Sequence, residues 1–265
     1  MATSALVSNR MRLAQPMVVI ALAALPLCAQ WTNLPTDGVP RTADGKINMT
    51  APSPRAADGK PDLSGIWNPT NTKYLNNLAA DFKPGELPIL PWADAITKER
   101  STDTHGAEES DARCLPPGIP KINAAPNPIK IVQEPKLIVV LYETFDLFRQ
   151  FFMDGRTLGK DPNPSWLGYS VAKWDGDTLV VDTVGLNGKT WLDKVGHPTT
   201  ESTHVTERYR RVDYGHLESV VTIEDPTAYS KPWTVTEHFQ LFPNTELIEN
   251  ICENEKDIRH MPGNR

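Results

Sequence analysis

The 265-residue chain is short of cysteine, with three, and it has neither a Cys-x-x-Cys pair nor the Cys/His spacing of a structural zinc site. It has no long lysine or arginine run, and its net charge is −6. Nucleic acid is thereby disfavoured as a partner, because phosphates are held by clustered cations. Walker A, G-x-G-x-x-G, H-E-x-x-H and G-x-S-x-G patterns are all missing, and Gly168-Tyr169-Ser170 lacks the flanks of a nucleophile elbow. Strand-like and helix-like segments do not alternate, which argues against a parallel sheet. The apolar stretch Met17–Leu27 has only 11 residues, against about 20 for a membrane-spanning helix.

That stretch follows Arg10 and Arg12 and precedes Cys28-Ala29. A charged start, a short apolar run and a small residue predict a signal peptide over residues 1–29. The mature protein is then expected in the periplasm or outside the cell, with no transmembrane segment. Lipidation of Cys28 is less expected, since bulky Leu27 stands where a small residue is wanted. Cleavage after Ala29 leaves Cys114 and Cys252. In an oxidising compartment they have one pairing available, so a disulfide is predicted.

Residues 30–128 read as a proline-rich extended arm with short helices. "RTADGK" at Arg41 recurs as "RAADGK" at Arg55, and both copies predict Asp-Gly turns. "PDLSGIWNP" reads as a first short strand. Helices are expected over Asn71–Phe82 and after Pro91, where proline suits a first turn. Pro116, Pro117 and Pro120 make the segment after Cys114 a loop. From Ile129 the texture changes to strands spaced roughly ten residues apart, through "ELIENICENE" at Glu246. The expected architecture is mainly β: an antiparallel barrel of about eight to ten strands over residues 129–258, wrapped by the arm and followed by a tail at 259–265.

Along a strand, side chains alternate between two faces. In "DTLVVDT", Leu179, Val181 and Thr183 share one face, with Thr178, Val180 and Asp182 on the other. In "HVTERYRRV", His204, Thr206, Arg208 and Arg210 oppose Val205, Glu207, Tyr209 and Arg211. Because Val180 accompanies Asp182, neither face of that strand reads as simply wet. Asp182 is therefore expected inside the barrel, paired with Arg149 or Arg208 and close to His204.

"PDLSGIW", "CLPPGIP", "DGR", "WDGDTLVVDT", "TWLD" and "TERYRR…VTIEDP" together resemble a family of secreted bacterial proteins, over about residues 61–258. The resemblance implies a lipocalin-like (calycin) β-barrel. It carries no catalytic residue with it.

The expected chemistry comes from the residues themselves. His204, Glu207 and Asp182 are the candidates for proton transfer, with Arg149 and Arg208 holding anionic or oxyanion character. Tyr169, Trp166 and Trp191, beside Asp154 and Arg156, suit an aromatic or carbohydrate-like ligand. His197, Glu201 and His204 form a weaker alternative as ligands of a divalent metal, and otherwise no cofactor is expected. Beside a structural barrel whose proline-rich arm docks another subunit, two small-molecule readings follow: an acid/base enzyme carrying out hydrolysis, elimination or isomerisation, or a binding or carrier protein without catalysis. The partner in either case is a small molecule.

Overall fold

The computed structural model describes residue 36 and residues 38–102, 106–159 and 162–252. The expected signal peptide and the tail at 259–265 lie outside the described residues. No helix among the described residues is long and apolar enough to cross a membrane.

Nine strands close into one barrel: β1 Gly65–Pro69, β2 Ile129–Glu134, β3 Leu137–Tyr142, β4 Phe148–Phe152, β5 Tyr169–Asp175, β6 Thr178–Val184, β7 His204–Arg211, β8 His216–Glu224 and β9 Trp233–Leu241. Each strand pairs with its neighbour in sequence, and β1 closes the ring on β9 through Trp67 opposite Leu241. Strand directions cannot alternate all the way round an odd-numbered ring, so one pairing must be parallel. That pairing is β4 with β5, through Phe151–Ser170 and Phe152–Val171. A parallel pair needs a long crossover, and residues 153–168 provide it. The wholly antiparallel barrel expected from the sequence is corrected here to a mixed one.

Two other expectations change for related reasons. The barrel begins at β1, within the segment assigned to the arm, rather than at residue 129. With β1 occupying the free edge of β9, no edge remains for a further strand, and Glu246–Cys252 runs as irregular chain. The two Asp-Gly repeats do form matching turns. Gly45 and Gly59 sit at φ +82° and +81°, and Arg41 and Arg55 each donate to the carbonyl of their own turn's glycine. Arg55 also grips Asp177 with two bonds of 2.7 and 2.6 Å, tying the arm to the β5–β6 turn.

Helix α2 spans Pro91–Arg100 with proline in its first turn, as expected. Helix α1 is cut to Lys73–Asn76. The Asn77 side chain accepts from Ala79 N–H and the Leu78 N–H turns to Asp193, so the chain leaves the helix at once. A 3-10 turn, Lys121–Ala124, is buried along its whole length and plugs one end of the barrel. Its loop docks tightly: Gly118 has φ +80°, and a Cβ there would lie 2.5 Å from Thr190 Oγ1. Cys114 and Cys252 are bonded, with Cα atoms 5.4 Å apart, so the plug loop is tied to the chain beyond β9.

Candidate functional site

Inward positions of the barrel are mostly apolar, including Trp67, Ile138, Val140, Phe151, Val181, Val221 and Phe239. Among them sits one polar cluster. Arg149 on β4 and Glu207 on β7 form a two-pronged ion pair at 3.1 and 2.5 Å, with Glu207 0% and Arg149 3% exposed. Glu207 also accepts from Asn123 of the plug at 2.8 Å and from the Tyr209 hydroxyl at 2.7 Å. Arg149 donates further to Thr183 at 3.1 Å, and Tyr142 donates to Asn123 at 2.8 Å. Burial alone would raise the Glu207 pKa, but the Arg149 charge and these donors hold it below the usual carboxylate range. Arg149 is held above its ordinary value: burial opposes this, and Glu207 outweighs the burial. Burial pushes the Tyr142 phenol up to about 12.

Arg149 and Glu207 thus both face inward. Asp182 does not. It lies on the outer face, and this corrects the expectation that it points into the barrel. The register explains it: Val181 opposes Glu207, so Val181 takes the inward place and Asp182 the outward one. Val180 is covered without being inside, so its burial was a poor guide to side. His204 and Arg208 are outward too, and Arg208 pairs with Asp175 at 2.8 Å. The expected interior gathering of Asp182, Arg149, Arg208 and His204 is not formed.

His204 and Asp182 do meet outside the barrel. Their closest atoms are 3.3 Å apart, with the side chains 35% and 33% exposed. Thr206 donates to Asp182 at 3.0 Å. The pair lines a groove of about 490 Å³ between the β4–β5 crossover and the outer sheet, with Val171, Val180, Val184 and Leu158 as apolar walls and Arg156 and Lys173 at the edge. Arg156 is already committed to Asp154 through a bidentate pair and lies 3.8 Å from the centre of the Phe152 ring. Tyr169 is exposed, Trp166 half-buried, and Trp191 buried under Arg100 at 4.8 Å. These aromatics do not line the groove. Among the described residues, no three His, Cys, Asp or Glu side chains are placed to hold a metal, so His197, Glu201 and His204 are not gathered.

A third location was not expected as a catalytic pair. Asp193 and His197 stand four residues apart in the 185–203 connection, where Asp193 is wholly buried and His197 nearly so. His197 Nδ1 lies 2.6 Å from Asp193 Oδ2. The same carboxylate accepts backbone N–H groups from Leu78 at 2.6 Å, Gly196 at 3.0 Å and His197 at 3.2 Å. A carboxylate only accepts, so Nδ1 carries a ring proton, which leaves Nε2 as the accepting nitrogen of the neutral ring. His197 lines an open cleft of about 700 Å³, walled by Phe82, Pro84, Leu87 and Ile89, with Lys83, Asp94 and Lys98 also on its lining. Its ring is 6.5 Å from that of Trp233 at the end of the barrel. The sequence carried both residues in "TWLD…GHP", but their partnership depends on a loop conformation that periodicity does not report.

Next to this pair, Lys121 is buried against Glu109 and Asp111. Burial draws its pKa down to about 7, and the nearby Lys194 charge acts in the same direction.

No family model matches the chain, and no curated protein matches it either.

Proposed function

We propose that this protein is an acid/base enzyme acting on a small, largely apolar or aromatic molecule in the cleft beside the plugged barrel end. His197 is its proton-transfer residue and Asp193 the group that orients it. The observation that carries the reading is the pairing itself. A fully buried carboxylate, fixed by three backbone donors, holds one nitrogen of a histidine that lines a cleft of about 700 Å³, a size within the usual range for small-molecule sites. This is the arrangement in which an imidazole is kept in one tautomer and one orientation. Nε2 can then take a proton from water, a hydroxyl or an activated C–H and return it to a leaving group or adjacent carbon. Hydrolysis, elimination and isomerisation all fit that role. The cleft walls favour an aromatic or aliphatic substrate over a carbohydrate-like one.

The outer groove supports a second reading, binding without chemistry. Its aliphatic walls and single loosely paired histidine suit a ligand held mainly by burial. Export to an oxidising compartment belongs to the proposal too, supported by the Cys114–Cys252 bond.

The test is a turnover screen against aromatic esters, lactones and glycosides, run with wild type and His197→Ala. We expect activity per folded protein to fall at least about 100-fold in the variant, the lower range for loss of a general base, together with a lower melting temperature because Asp193 loses a buried partner. Equal turnover in the two proteins would remove His197 from the mechanism. Saturable binding without turnover, abolished by blocking the outer groove, would favour the second reading.

A further inference from the structure

Inside the barrel one acid has no partner. Glu237 on β9 is 3% exposed, and both of its carboxylate oxygens are buried without a hydrogen bond. Directly across on β8 is Ser219, 0% exposed, whose hydroxyl is unpartnered too. Two such neighbours are not accounted for by packing, because buried polar groups are almost always satisfied. The contrast with Glu207 is sharp: two residues of the same type share one interior, and one receives four well-formed hydrogen bonds while the other has only the approach of the Asn123 amide.

Glu237 lines a void of about 10 Å³, together with Asn123, Ala124, Tyr74, Pro69 and Asn71. That is about the space one water needs. The void lies where the plug and α1 meet the barrel. Asn123 has one N–H committed to Glu207, and its amide carries a second.

We infer that this void is a built site for a single small polar guest, a water molecule or a species of that size, held by the Glu237 carboxyl and the Asn123 amide. The guest gives Glu237 the hydrogen bonds that the protein withholds. Its chemical class follows from the walls, which offer the Glu237 carboxyl and the Asn123 amide around one-molecule space.

Charge decides the form of Glu237. Burial raises its pKa well above the ordinary carboxyl range, and the negative Glu207 raises it further, while hydrogen bonding from Asn123 and the Arg149 charge act the other way. The groups facing it are Glu207 and Tyr209 from β7, Tyr142 from β3, Arg149 from β4, Ser219 from β8, Asn123 from the plug and Tyr74 from α1. His238, the next residue on β9, also lines the void. The one strong cation in this set, Arg149, is already neutralised by Glu207. Burial and the Glu207 charge thus favour the neutral acid, whose O–H donates to the guest. The site stands apart from the His197 cleft and does not rest on the function proposed above.

Two measurements test this on the full chain. Infrared difference spectroscopy at pH 7 is expected to show a protonated carboxyl carbonyl band in wild type that disappears in Glu237→Gln. A wild-type spectrum with every carboxyl ionised overturns the inference. Oxygen-17 relaxation dispersion of water is expected to show a long-lived buried water in wild type and in Glu237→Gln, and its loss in Glu237→Leu. An unchanged dispersion in Glu237→Leu also overturns it. If the leucine variant fails to fold, the wild-type infrared spectrum still decides. The wild-type stability profile gives a further check. A carboxyl with a raised folded pKa loses stability as pH climbs from about 4.5 toward that pKa, so Glu237→Gln should flatten this slope, and an unaltered slope counts against the inference.

Discussion

Arg149→Met isolates the Glu207 carboxylate in the barrel. In the wild type, Arg149 supplies two of the four hydrogen bonds to that carboxylate, at 3.1 and 2.5 Å, and its only full positive charge. Tyr209 and Asn123 remain in the variant, but both are neutral. Removing one partner of a buried ion pair costs about 3–5 kcal/mol, because the surviving charge is left uncompensated. For a domain of this size, with about 2–4 °C per kcal/mol, the melting temperature should fall by roughly 6–20 °C. Without that cation, burial favours the protonated form of Glu207, so the loss should be larger at pH 8 than at pH 5. In wild type the sign is the reverse: Glu207 has a lowered pKa, so its contribution is full above the ordinary carboxyl range and is lost as pH falls through the folded value. The double variant Arg149→Met, Glu207→Leu removes both charges together and should recover most of the loss, since matched apolar replacements of buried pairs are often neutral. Urea unfolding of the two single variants and the double variant closes the cycle. A cost below about 1 kcal/mol for Arg149→Met, or a double variant as unstable as the sum of the singles, would refute the claim that the pair is coupled in a dry interior.

Two further outcomes follow. On the outer face, Asp182→Asn and His204→Ala should each change stability by no more than about 0.5 kcal/mol, because both side chains are a third exposed and screened; a loss above 2 kcal/mol in chemical denaturation would contradict their outward placement. Replacing Cys114 and Cys252 together with serine should lower stability by at most about 5 kcal/mol, the chain-entropy value for a 138-residue separation, and an unchanged unfolding midpoint would show that the bond constrains nothing in the unfolded chain.

What the sequence determined by itself is everything governed by short-range physics. The twofold side-chain period grouped Glu207 with Val205 and Tyr209 on one face, and the Asp-Gly turns, the Pro91 helix start and the mainly β class followed from local preferences. The Cys114–Cys252 pairing followed from elimination. What only tertiary structure decided is which face of each strand is inside, because alternation fixes sides relative to each other and not relative to the axis. Asp182 and His204 went outward for that reason. Ring closure is equally non-local: β1 reaches β9 across 174 residues, from Trp67 on one strand to its partner Leu241 on the other, which excluded a tenth strand and forced one parallel pair. The Asp193–His197 pair and the unpartnered Glu237 belong to the same class. The first depends on a loop conformation and on a donor from Leu78, the second on what the packed barrel leaves near Glu237, and no period in the chain carries that information.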